Sequence, residues 1–198
     1  MPHRSSRISD TVRRIIGVAH AKDPATNTVL EAVIHPGVQA ILAHQLAHRL
    51  FTAGHCASAR VVAMLARIVT GLDAHPGATI HPTVFIDHAL GVVIGETAVV
   101  EQNAMLYHHV TLGSVGWWKD KGFSVRHPTI GANSILCVGS SVLGPVTVGA
   151  NVIVGAHAVV LADVPDDTHV PAGSVWARAE HRGASEDPDS RPHTLSAF

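Results

Sequence analysis

The sequence predicts an α+β chain in two parts, an N-terminal helical region followed by a parallel β-helix, and three observations carry that expectation. Aliphatic residues recur every six positions from Ile80 onward. Before that point apolar residues recur at helical spacing, and the change between the two patterns falls near residue 72. With 198 residues, 46% of them hydrophobic, the chain has ample material for one core.

The helical region covers residues 1–72. Its apolar residues fall at Val12, Ile15 and Ile16; Leu30 and Val33; Val38, Ile41, Leu42, Leu46 and Leu50; and Val61, Val62, Leu65 and Ile68. Four helices are expected from these groups. Asp23-Pro24 and His35-Pro36-Gly37 supply boundaries, because proline disfavours helix at the residue before it, and Gly54 and Gly71 suit helix ends.

The repeat region covers residues 73–180. Its hexads run Ile80 and Ile86; Ile94, Val100, Leu106 and Leu112; then Ile130, Leu136, Val142, Val148, Val154 and Val160. A period of six fits neither a helix nor a lone half-buried strand, and it signals a repeat architecture of short strands and tight turns. In a parallel β-helix three hexads close a triangular rung of about 18 residues, rungs rise by about 4.8 Å, and each aliphatic residue points inward. A sandwich of evenly spaced strands is disfavoured, since its turns would vary and the register would drift. Residues 181–198, rich in Pro, Ser and Asp, read as a loosely ordered tail.

Charge and cysteine content narrow the function classes. The formal net charge is −1 and no dense Lys/Arg run occurs, which argues against nucleic acid or an anionic membrane as partner. Cys56 and Cys137 lack a CxxC spacing and read as reduced structural thiols. Asp10 interrupts the N-terminal stretch, and Ile15 to Ala19 is too short an apolar run for a secretion signal. No segment is long and apolar enough to span a bilayer, so a cytoplasmic location is expected.

The rhythm breaks twice, and function is expected at the breaks. Between Ile86 and Ile94 the step is eight, and the extra residues fall in Asp87-His88-Ala89-Leu90-Gly91. A loop on a rigid repeat fixes a reacting group while leaving it accessible. Asp73 precedes His88 by 15 residues, close to one rung, so the two are expected near the same corner, a carboxylate beside an imidazole. Such a pair orients the ring and stabilises the imidazolium, which is general-base equipment. A surface histidine of no consequence is the competing reading. The second break, from Leu112 to Ile130, has Trp118 and Ser124 where inward aliphatic residues would stand, and it predicts an extruded loop over about 113–128. Arg126, at its end, is a candidate clamp for a carboxylate, with an ordinary surface ion pair as the alternative.

Asp73-Ala74-His75-Pro76-Gly77-Ala78, the run from Ile86 to Thr97, Val110-Thr111-Leu112-Gly113 and Arg126-His127-Pro128 together resemble serine O-acetyltransferases, a family of hexapeptide-repeat acyltransferases. Lys22-Asp23-Pro24-Ala25 and His48-Arg49-Leu50 extend the resemblance over residues 20 to 178. It implies a left-handed β-helix, a homotrimer or a dimer of trimers, and acetyl-CoA and serine meeting in clefts between subunits, with no metal. By resemblance His88 is the general base and Asp73 its carboxylate partner. Arg126 and His127 hold the acceptor, Arg126 on its carboxylate, while Asp23 and Asp87 hold its amino group. Gly113, Ser114, Gly116, Val138 and Gly139 are the expected contacts for the acyl donor. A serine hydroxyl attacks a thioester only after a base removes its proton, and the tetrahedral oxyanion then needs a donor. A backbone N–H of a Gly-containing loop or the His127 imidazole would serve.

The chain also departs from the family pattern. Gly113-Ser114-Val115-Gly116 replaces Gly-Gly-Thr-Gly, and the loop that follows is longer by about four residues. Trp117 and Trp118 either touch the acyl donor, narrow the pocket for another acceptor, or pack the loop onto a neighbour. Ala172-Gly173-Ser174-Val175-Trp176-Ala177-Arg178 adds a residue to the usual Ala-Gly-Val-Pro-Ala-Arg. Phe198 stands where members that dock on O-acetylserine sulfhydrylase carry isoleucine, which argues against that partner. Three functions therefore stand open: serine O-acetylation, O-acylation of another hydroxy or amino-alcohol acceptor, and a non-catalytic trimeric scaffold. His44 and His48 share the spacing of a zinc-protease helix, but Gln45 replaces the glutamate base, so helix packing is expected of them. His108 and His109 are expected on opposite faces of a strand.

Overall fold

The structure, a computed structural model, describes residues 3–116 and 125–177. Trp117, Trp118, Ser124, Arg178 and the tail of residues 181–198 lie outside the described residues. Four helices lead the chain: α1 (His3–Lys22), α2 (Val29–Ile34), α3 (Pro36–Thr52) and α4 (Cys56–Thr70). Thr28 begins α2 with a capping box, its hydroxyl accepting from Glu31 N–H while Glu31 accepts from Thr28 N–H. Gly71, in the left-handed conformation at φ 81°, ends α4.

Among the described residues fifteen short strands follow. In order they are β1 (Asp73–Ala74), β2 (Thr79–Ile80), β3 (Phe85–Ile86), β4 (Val93–Ile94), β5 (Val99–Val100), β6 (Met105–Leu106) and β7 (Thr111–Gly113). Then come β8 (Thr129–Ile130), β9 (Ile135–Leu136), β10 (Ser141–Leu143), β11 (Thr147–Val148), β12 (Ile153–Val154), β13 (Val159–Val160), β14 (His169–Val170) and β15 (Val175–Trp176). Strands three apart pair in parallel as far as β13, and β12-β14 and β13-β15 pair in the last rung, where the second sheet has only a Val148–Val164 bridge. The first sheet is β1-β4-β7-β10-β13-β15, the second β2-β5-β8-β11 and the third β3-β6-β9-β12-β14.

The hexad residues form the core as expected. Ile86, Leu106, Leu136, Val154 and Val170 stack in register through the third sheet, each fully buried. Ile80, Val100, Ile130 and Val148 do the same in the second. A second inward position precedes each of these by two residues. It holds small side chains such as Ala98, Ala104 and Ser134 in some rungs and valines such as Val84 and Val152 in others, which fill the corners of the triangle. Ser134 satisfies its buried hydroxyl by donating to the Gly149 carbonyl at 2.7 Å and accepting from Val152 N–H at 3.0 Å.

Asn103, Asn133, Asn151 and Asp167 stack at one corner, all left-handed at φ 56° to 60°. Each asparagine amide donates to the side-chain oxygen above it, at 3.3, 3.2 and 2.9 Å. Asn and Asp enter that conformation at lower cost than other non-glycine residues, which suits them to the turn. The helices cap the first rung through side chains of α3: His44 bonds the Ala78 carbonyl, Gln45 the Ile80 carbonyl and His48 the Pro76 carbonyl. The His44 and His48 pair is thus used for packing.

Two breaks shape the surface. Asp73 lies in register with Val93, twenty residues on, whereas Val93 lies in register with Thr111, eighteen on. The extra two residues of the first rung bulge out as the corner of His88 and Ala89, both left-handed at φ 59° and 61°. At the second break, β7 of the first sheet leads to β8 of the second, so the step from Leu112 to Ile130 turns a single corner.

Candidate active site

The residues singled out from the sequence fall on the two edges of the first sheet. The upstream edge, where the chain arrives from the third sheet, carries Asp87, His88, His108, Val138 and Gly139. The downstream edge, where it leaves for the second sheet, carries Glu96, Gly113, Ser114, Gly116, Arg126 and His127.

At the upstream edge His88 stands out into solvent, its side chain 72% exposed, with Nε2 3.7 Å from Asp87 Oδ1. His108 lies edge-on to it with ring centroids 6.0 Å apart. His108 and His109 do not occupy a strand as expected; they form the corner between β6 and β7, and their rings lie 5.2 Å apart. The φ of 61° at His109 makes that corner, which a strand assignment overlooks. Gly139, at φ 67°, lies under the His157 ring, and its N–H donates to the His108 carbonyl at 3.1 Å.

Asp23, in the turn after α1, joins this edge. Its Oδ1 accepts from Ala25 N–H at 2.8 Å and its Oδ2 from the Thr26 hydroxyl at 2.6 Å. The Thr26 and Ala25 bonds, in that order, hold its carboxyl below the usual range, with smaller help from the His35 and His88 imidazoles. His35 is in sequence only a helix boundary, yet its Nε2 lies 3.8 Å from Asp23 Oδ2.

At the downstream edge an open cleft of about 420 Å³ is lined by Asp73, His75, Glu96, Arg126 and His127, with Arg60, Met64 and Arg67 of α4 forming its other wall. Arg126 is ion-paired to Glu96. Thr97 organises the corner: its hydroxyl oxygen accepts from the N–H groups of Arg126 at 3.0 Å and His127 at 3.1 Å. Its own N–H donates to His127 Nδ1 at 3.1 Å, which leaves the neutral ring's proton on Nε2. The ring lies over Gly95, where a Cβ would come within 2.0 Å of it. Burial, reinforced by the Arg60 charge, lowers the His75 pKa. Glu96 and Thr97 carried no role in the sequence reading, because nothing in a linear pattern links them to residues 30 positions away.

Asp73 belongs to this cleft and not to the His88 corner. Its carboxylate pairs with Arg67 at 3.0 Å. The expectation from the 15-residue spacing differs because the first rung holds twenty residues, so 15 positions fall short of a full turn. Among the described residues the carboxylate within ion-pair range of His88 is that of Asp87.

A family model for bacterial transferase hexapeptide repeats (six repeats) matches residues 127–162. The serine acetyltransferase of Mycobacterium tuberculosis is 48% identical over 155 residues, covering 78% of this chain and 66% of that protein. That of Helicobacter pylori is 44% identical over 145 residues, covering 73% of this chain and 82% of the relative. The chain belongs to the serine acetyltransferase family. The solenoid is accordingly the family's left-handed β-helix of hexapeptide repeats, an exception to the right-handed crossover rule. Among solved structures of the family, Neisseria gonorrhoeae serine acetyltransferase in complex with serine superposes with a TM-score of 0.76 at 34% identity over 83% of this chain and 66% of its own. The Brucella abortus enzyme in complex with coenzyme A gives 0.78 at 34% identity, over 84% of this chain and 65% of its own. The chain thus spans about two thirds of the length of the Mycobacterium, Neisseria and Brucella members.

Proposed function

We propose that the chain is an acetyl-CoA:L-serine O-acetyltransferase of cysteine biosynthesis, acting in the cytoplasm as a homotrimer. The observation that carries this reading is the division of one complementary set of groups between the two edges of the first sheet. A base and two carboxylates stand at the upstream edge, and a guanidinium and an imidazole N–H stand at the downstream edge. Joining the upstream edge of one copy to the downstream edge of the next builds a complete site at each interface of a closed ring. Support comes from α4, whose outer face exposes Val61, Leu65, Ile68 and Val69 by 52 to 73% beside the downstream cleft.

In that site Arg126 takes the serine carboxylate, and Asp23 and Asp87 take its ammonium. His88 removes the hydroxyl proton as oxygen attacks the thioester carbonyl of acetyl-CoA, lying along Gly113, Ser114, Gly116, Val138 and Gly139. The His127 Nε2–H donates to the oxyanion, and Asp73 of the adjacent copy stabilises the His88 imidazolium. Collapse expels the CoA thiolate, which takes the proton from His88 and leaves O-acetylserine. Base catalysis supplies roughly 10²- to 10⁴-fold of the rate.

Thiol release measured with a panel of amino-alcohol and hydroxy-acid acceptors tests this reading. Serine is expected to be the best acceptor, and His88→Ala to lower kcat by about 10²-fold or more. Another acceptor outcompeting serine would reassign the substrate, and thiol release no faster than hydrolysis would leave a non-catalytic scaffold.

A further inference from the structure

We propose that His35 is a positioning residue that orients Asp23 and thereby sets the chain's selectivity for an acceptor bearing an ammonium group. The inference rests on the assignment of Asp23 to the acceptor's amino group.

His35 closes α2 and opens α3 in one step. Its N–H donates to the Ala32 carbonyl, and its own carbonyl accepts from Val38 and Gln39 N–H at 3.0 and 3.1 Å. Its ring Nδ1 accepts from Gly37 N–H at 3.1 Å. Gly37 in turn lies so close to β3 that a Cβ there would stand 1.9 Å from the Ile86 carbonyl oxygen. The imidazole is therefore seated on the strand that leads into Asp87 and His88, 5.4 Å from the Phe85 ring and with its side chain only 10% exposed.

The cap decides the tautomer. Because the Nδ1 lone pair receives the Gly37 N–H, the neutral ring carries its proton on Nε2, the nitrogen that faces Asp23 Oδ2 at 3.8 Å. At that distance the contact is electrostatic, not a hydrogen bond. Together with Ala25 N–H and the Thr26 hydroxyl it holds the Asp23 carboxylate from three sides of the protein. The Nε2–H points at Oδ2 from inside the protein, so it orients the carboxylate while leaving its outer side for an incoming ammonium.

The test exploits the two nitrogens separately. Asparagine places an oxygen near the position of Nδ1 and keeps the helix cap; glutamine places an N–H₂ near Nε2. The readout is the ratio of kcat/KM for serine to that for 3-hydroxypropanoate, which keeps the hydroxyl and carboxylate and lacks the amine. His35→Asn is expected to lower the ratio by about 5- to 10-fold through the serine KM, with kcat and the acetyl-CoA KM within about twofold of wild type. His35→Gln is expected to retain the ratio. If His35→Asn is too unstable to assay, His35→Phe keeps the ring packing, drops Nε2 and is expected to lower the ratio likewise. A wild-type ratio in the Asn variant, or equal loss in Asn and Gln, overturns the inference. Asp23→Asn run in parallel separates the two claims: loss of selectivity there with none in His35→Asn sinks only the role of His35. No loss in Asp23→Asn sinks the assignment of Asp23 and the inference with it.

Discussion

His44 shows how one buried side chain ties stability to pH. Its Nε2–H donates to the Ala78 carbonyl, its Nδ1 has no hydrogen-bond partner among the described residues, and burial lowers its pKa to about 4. The folded chain therefore holds His44 neutral, while the unfolded chain protonates it below its ordinary value of 6.5. Stability is unaffected above that value and falls as pH drops toward 4, by up to about 3 kcal/mol. Replacing His44 with Gln, whose amide can still donate to the Ala78 carbonyl, is expected to flatten this dependence. Urea melts at pH 7, 5.5 and 4.5 check it, and an unchanged slope in the variant would assign the acid sensitivity elsewhere. Residue-scale roles were the least legible part of the sequence. His88 was singled out by a break in period, but the neighbours that give His35, Glu96 and Thr97 their roles come from other rungs or helices. A linear pattern records no such pairing.

At the scale of elements, each strand is two or three residues long and has no independent stability; the stack supplies it. Leu136 sits at the centre of the third sheet, in register with Leu106 below and Val154 above, and is fully buried. Leu136→Ala is expected to destabilise the solenoid by about 2–5 kcal/mol, since the rigid rungs on either side cannot collapse into the space. Equilibrium denaturation gives the value, and a loss below about 1 kcal/mol would mean the rungs do relax. The elements themselves were largely legible. The period of six located one buried aliphatic residue per strand from Ile80 to Val160, and proline and glycine marked the four helices. The second inward position escaped because it mixes Val84, Val92, Val110 and Val152 with Ala98, Ala104 and Ser134 and so carries no steady apolar signal that a periodicity can register. The apolar spacing of α4 specifies a helix, yet Val61, Leu65 and Ile68 face outward, because an apolar stripe specifies a covered face without saying what covers it.

For the whole molecule, the decisive fact is that the first sheet separates His88 from Arg126 and His127. In the proposed ring each reaction centre draws on two chains, one lending its upstream edge and the next its downstream edge. A chain lacking His88 still offers a sound downstream edge, and a chain lacking Arg126 still offers a sound upstream edge. Each variant alone has no intact site. Unfolded together and refolded, His88→Ala and Arg126→Ala chains are expected to form about one sound interface in four. Recovered activity should approach about a quarter of wild type, whereas a site built within one chain would stay silent in the mixture. Two inert proteins would then make a working one, so the unit on which damage acts is the seam between chains and not the chain.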